Sequence, residues 1–145
     1  MTIRTNLALV FVALALPLAA ICTPAAPHGA LAVGSTSNVS KDGIAVGTAI
    51  NHKTLDSAKA AAMEYCKTYK PAPKAATFCR LVGSFTTECY AVAFDPKAGT
   101  PGAGWAIAAD IKVAEQRAID ACKATAGKGR AQFCKVDESK CDTVE

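Results

Sequence analysis

AMEYCK, residues 62–67, returns 56 residues later as AIDACK, residues 118–123, each copy closing on a Cys-Lys pair. At that offset Leu55 falls on Ile111, Ala58 on Ala114, Ala62 on Ala118, Cys66 on Cys122 and Lys67 on Lys123. The matched positions step by three or four, so they form one face of a helix in both copies. Thr54 and Asp110 stand just before the two faces, where a side-chain oxygen can accept from a free amide of the first turn. The first helix is expected to end before Pro71 and the second near Gly127.

The duplication extends beyond the helices. Phe78-Cys79-Arg80 returns as Phe133-Cys134-Lys135, each opening a strand-like stretch. Upstream, ALAVG (30–34) and GIAVGTA (43–49) precede the first helix, and YAVAF (90–94) and GWAIAAD (104–110) precede the second. The connecting SNVSKDG (37–43) and DPKAGTPGAG (95–104) read as hairpin loops longer than tight turns. Each repeat is therefore strand, strand, helix, strand, with repeats at about 30–89 and 90–141. One repeat cannot bury a helix face on its own sheet, whereas two can share a core. The expected fold is α+β: a single, mostly antiparallel sheet of about five or six strands with both helices on one face. Its alanine-rich core is thin and calls for staples.

The amino terminus is read separately. Arg4 precedes an unbroken apolar run, Leu7–Leu16, which Pro17 ends before the small residues Ala19 and Ala20. That is the layout of a secretory signal peptide, and the run is short for a membrane span. Residues 1–22 are assigned to it, with the cut as late as residue 25, and 23–29 to a flexible lead-in; residues 30–145 form a single domain. Lipid attachment at Cys22 is the minor alternative, because Ile21 occupies a position where lipoprotein processing favours a small residue.

Six further cysteines, Cys66, Cys79, Cys89, Cys122, Cys134 and Cys141, follow this export-type segment and point to disulfides made in an oxidising compartment, the periplasm or the outside. If both repeats share one local geometry, Cys66 pairs with Cys79 and Cys122 with Cys134, each tying a helix end to the next strand. Cys89 and Cys141, read as equivalent ends of the two copies, then pair across the pseudo-symmetry. Closing a loop of about this size contributes roughly 3 kcal/mol in the chain-entropy picture. No pair has the C-x-x-C spacing of a zinc site, and neither metal nor cofactor is expected.

In this order, Ala58, Ala62, Cys66, Cys79, Cys89, Gly104, Trp105, Ala114, Ala118, Cys122, Cys134 and Cys141 resemble the bacterial exported family grouped as domain of unknown function 4189. The resemblance covers about residues 30–141. It implies a secreted or periplasmic bacterial protein with a disulfide-bonded α+β domain, and it carries no catalytic residues. This chain departs from the family pattern where Ile44, in place of tryptophan, follows Gly43, with about five extra residues before the first helix.

The net charge of +4 lacks the strongly basic stripe of a nucleic-acid binder. His52 reads as a solvated loop residue, and Gly83-Ser84 lacks the flanks of a nucleophile elbow. Glu64 and Asp120 occupy equivalent positions off the apolar helix faces and read as solvated. Gly127-Lys128-Gly129-Arg130 is missing the upstream glycine and the Ser or Thr of a phosphate loop, and reads as a basic loop. Asn38-Val39-Ser40 spells a glycosylation sequon that matters only in a eukaryotic secretory pathway. Trp105, Lys128 and Arg130 are the candidate binding surface, although core packing against the second helix is the commoner fate of such a tryptophan. The expectation is a non-catalytic protein that binds a protein or cell-envelope component, an inhibitor or immunity protein being one form. It would have no membrane span after signal cleavage. The alternative is a small envelope hydrolase using Glu64, Asp120 or His52, or a purely structural envelope component.

Overall fold

The computed structural model describes residues 26–142, so the signal-peptide assignment and Cys22 lie outside the described residues. The first repeat runs β1 (His28–Ser35), α1 (Val39–Asp42), β2 (Ile44–His52), α2 (Leu55–Lys67), α3 (Pro73–Ala76) and β3 (Arg80–Thr86). The second runs β4 (Cys89–Phe94), β5 (Ala103–Ala108), α4 (Ile111–Thr125), a 3-10 turn (Ala131–Phe133) and β6 (Lys135–Cys141). Each repeat forms its own antiparallel sheet with the first strand in the middle, in the orders β2-β1-β3 and β5-β4-β6. Even an irregularity is duplicated. The register shifts between Leu31 and Ala32 on β3's side of β1, and between Val92 and Ala93 on β6's side of β4.

The α+β class and antiparallel pairing are as the sequence predicts, but the single sheet with both helices on one face is corrected. The strands show why. Ala30, Ala32, Ala45 and Ala49 pack under α2, and Ala91, Ala93 and Ala108 pack under α4. The alternate positions carry the large residues Leu31, Val33, Ile44, Val46 and Phe85, and Tyr90, Val92, Phe94, Trp105 and Ile107. These two sets pack against one another, giving four layers: helix, sheet, sheet, helix. A single sheet with helices on one face would leave the large face in water. The central strands β1 and β4 are buried almost throughout.

Both main helices begin as the sequence predicts. The Thr54 hydroxyl accepts from the Ser57 amide at 3.1 Å, and Asp110 Oδ1 accepts from the amides of Lys112 at 2.8 Å and Val113 at 3.0 Å. Ala58, Ala62 and Cys66, and their counterparts Ala114, Ala118 and Cys122, are 0% exposed. Such close approach needs glycine beneath. A Cβ on Gly47 would collide with the Ala62 carbonyl and the Cys66 amide, and one on Gly104 with the Ala118 carbonyl and the Cys122 amide.

Register also corrects the alignment of the repeats. Ala32 faces Gly47 and Ala93 faces Gly104, so Gly47 is the counterpart of Gly104 and Thr48 that of Trp105. There is no five-residue insertion; the match of Gly43-Ile44 to Gly104-Trp105 was four residues out of step. The repeats span 28–86 and 89–141, and His28 and Gly29 belong to β1 instead of a lead-in.

The structure joins Cys66 to Cys79, Cys122 to Cys134 and Cys89 to Cys141. The last pair does not cross the pseudo-symmetry. Cys89 opens β4 and Cys141 closes β6, and they are direct register partners in the second sheet. The equivalent partners in the first sheet are His28 and Thr86, which share a 2.8 Å hydrogen bond. A side-chain hydrogen bond stands there where the second repeat has a covalent one.

Candidate functional site: a cleft between the hairpin loops

The loop after β1 and the loop after β4 are equivalent hairpin connections, and the stacking of the sheets brings them to one end of the sandwich. Residues 36–43 are fixed from inside. Thr36 Oγ1 donates to Asp42 Oδ2 at 2.7 Å, the Asn38 side chain caps the Lys41 amide at 3.1 Å, and Lys74 Nζ reaches Asp42 Oδ2 at 3.1 Å. Gly43 closes the loop at φ 72°, a backbone region that disfavours side chains.

Residues 95–102 are fixed in the same manner by their own aspartate. Asp95 Oδ2 accepts from Arg130 Nε at 2.7 Å, while its Oδ1 accepts from Arg130 Nη2 at 2.5 Å and from the Lys97 amide at 3.0 Å. The Asp95 amide donates to the Gly102 carbonyl at 3.0 Å, and Thr100 Oγ1 to the Lys97 carbonyl at 2.7 Å. Gly99 is at φ 80°, and a Cβ placed there would lie 3.9 Å from the Ser40 carbonyl, so the two loops are neighbours.

Between them and the segment after α2 lies a cleft of about 490 Å³. Ile44, Tyr69, Pro71, Phe94 and Pro96 supply apolar wall, and Lys41 and Lys97 stand exposed at its lining. That volume lies within the range of ligand pockets. Its two aspartates are already engaged. The Arg130 fork, ahead of the Lys97 amide, holds Asp95 down to about 2 despite burial, and Thr36 and then Lys74 lower Asp42. Burial raises the Tyr69 phenol, with Asp137 and Glu138 adding to the effect. Neither Lys41 nor Lys97 has an ion-pair partner among the described residues.

The residues singled out from sequence do not gather here. Trp105 packs in the layer between the sheets and not against the second helix. Arg130 is committed to Asp95, and its guanidinium lies 4.2 Å from the centre of the Phe133 ring, so it buttresses the loop from behind instead of offering a free charge. Lys128 is exposed in the turn after α4 and does not line the cleft. Glu64 on α2 and Asp120 on α4 sit on opposite outer layers, Asp120 held by Gln116 at 3.0 Å and Lys123 at 3.6 Å. His52 lies near Ser57, Nδ1 to Oγ 3.2 Å, at the start of α2, about two helical turns from Glu64 and in the other repeat from Asp120. The three groups of the hydrolase alternative therefore converge on no common site. Lys41, Lys97, Tyr69 and Phe94 were not singled out from sequence. Their loops were legible as loops, but the convergence of two loops 50 or more residues apart depends on the stacking of the sheets.

The family model described as Domain of unknown function (DUF4189) matches residues 28–141. The chain belongs to this family. Comparison with curated proteins and with solved structures returns no match. The matched span runs from the first residue of β1 to the last of β6, so the DUF4189 domain is the whole sandwich, both hairpin loops included.

The opposite end of this DUF4189 domain holds the one buried carboxylate without a counter-ion among the described residues. Asp142, 4% exposed, accepts at Oδ1 from the Asn51 amide at 2.8 Å, which ties the two repeats together. Its Oδ2 finds no hydrogen-bond partner among the described residues. Burial raises its pKa, partly offset by the Asn51 amide and by the fields of His28 and His52. Among the described residues no cluster of three or more His, Cys, Asp or Glu could hold a metal ion.

Proposed function

We propose that this is an exported bacterial protein that works without catalysis, binding a protein or cell-envelope component through the cleft between its hairpin loops. An inhibitor or immunity protein directed at a secreted hydrolase is the concrete form of this reading. One observation carries it: two loops from different repeats, each locked by its own aspartate, come together around an apolar-walled cleft whose lysines have no ion-pair partner among the described residues. Rigid loops on a stapled scaffold lose little freedom on binding, which favours affinity. Three disulfides support a place outside the cytoplasm.

The test is capture from envelope extract and culture supernatant of the host, using immobilised mature protein beside an Ala98→Trp variant that fills the cleft without changing charge. The expected result is a reproducible partner held by the wild type and lost by the variant. A partner retained equally by both, or none at all, would overturn the reading.

A further inference from the structure

We infer that the occupant of this cleft is an acidic polypeptide segment, a carboxylate flanked by apolar side chains on a loop or tail of a partner protein; this rests on the binding reading above. The charge arrangement points there. Of the four charged residues lining the cleft, Asp42 and Asp95 are neutralised from within by Lys74 and Arg130, which leaves the ammonium groups of Lys41 and Lys97 as its uncompensated charge. Asp137 and Glu138 reach the cleft only at Tyr69, and Glu138 is itself paired with Lys140 at 2.9 Å. The anionic part of the ligand therefore belongs beside the lysines and its apolar part against Ile44, Phe94 and Tyr69.

The same lining disfavours a glycan. A polysaccharide presents hydroxyl groups that need acceptors, and both carboxylates are already engaged, Asp42 by Thr36 and Lys74 and Asp95 by Arg130 and the Lys97 amide. A polypeptide instead matches an apolar wall with a charged rim. Charge complementarity of this kind governs partner choice and association rate, and it weakens with salt.

The experiment titrates the mature oxidised protein with a random poly(Glu,Tyr) copolymer, with poly(Lys,Tyr) and with dextran sulfate, at low and high salt, following binding by fluorescence anisotropy. Saturable binding to poly(Glu,Tyr) alone is expected. Lys41→Glu/Lys97→Glu should weaken it about tenfold or more, while Lys128→Glu, away from the cleft, should leave it unchanged. Amide chemical shifts should move in residues 36–44, 69–72 and 94–103 only. No saturable binding, or equal binding by the double variant, would sink the inference, and dextran sulfate binding as tightly through the same lysines would reassign the ligand to an anionic glycan. If the captured envelope partner is lost by Ala98→Trp yet kept by Lys41→Glu/Lys97→Glu, the cleft reading stands and the acidic-segment inference alone falls.

Discussion

Asp95 and Asp142 are both covered by protein, and their surroundings drive them in opposite directions. Asp95 receives the Arg130 fork and the Lys97 amide, so its charged form is favoured and its pKa drops to about 2. Its folded value lies below its unfolded one, so it stabilises the fold above the ordinary value of 3.8, and that contribution is lost as pH falls through about 2. Asp142 has one amide donor and, among the described residues, no partner for its other oxygen, so burial raises its pKa. Its ionisation opposes folding: its favourable contribution is complete below the ordinary carboxylate value and disappears as pH rises through the raised one. Thermal melts from acid to neutral pH separate the two. Arg130→Met leaves the Asp95 carboxyl covered without a counter-ion, so the loss of Tm is expected to be largest near neutrality and to shrink in acid. Asp142→Asn removes the buried charge, so its Tm relative to wild type is expected to rise from acid to neutral pH. A pH-independent difference for either variant would contradict these environments.

At the level of helices and strands, the decisive contact is a helix lying on a glycine. Gly47 and Gly104 let α2 and α4 sit so near the strands that alanine and cysteine fill the layer between. Gly47→Ala and Gly104→Ala each push a methyl group into helix backbone, and each is expected to lower stability by about 1–3 kcal/mol. Urea unfolding reads this, and a shift in one variant but not the other would show that the two halves do not share the packing. The helices were legible in the sequence because period and caps agreed: the Ala-x-x-x-Ala-x-x-x-Cys face and the Thr54 and Asp110 caps are local signals. The two-sheet arrangement was also written there, in the alternation of small and large residues in ALAV and YAVAF, since a strand apolar at every position needs cover on both faces. Reading only the alanine face gave one sheet with helices on one side. The short α3, begun by Pro73, and the 3-10 turn before Cys134 carry no periodic pattern and could not be read. The cleft was legible only as two loops. What joins them is the packing of Leu31 and Val33 opposite Tyr90 and Val92.

For the molecule as a whole, the disulfides do not hold the two repeats together. Cys66–Cys79 lies in the first repeat, and Cys89–Cys141 and Cys122–Cys134 lie in the second, so among the described residues the covalent link between halves is the chain through Thr87 and Glu88. The union rests on the layer of Leu31, Val33, Phe85, Tyr90 and Val92, with the Asn51–Asp142 hydrogen bond at its edge. Apolar burial on that scale is the dominant attraction between packed layers, and it needs no connecting peptide. A protease site inserted at Thr87–Glu88 and cleaved in the oxidised protein is therefore expected to leave a non-covalent complex that elutes as one species in gel filtration. In denaturant without reductant it should separate into two fragments, and their recovery on dilution should depend on protein concentration, because folding has become bimolecular. Each fragment alone exposes the large-residue face of its sheet and is expected to show no cooperative unfolding. A single unreduced band in denaturant would mean that a disulfide bridges the halves after all, and fragments that part without denaturant would mean that the shared layer is too weak to make one domain of two repeats. The cleft depends on that layer, since its two loops belong to different halves; the nicked complex should bind poly(Glu,Tyr) as the intact chain does, and the separated fragments should not.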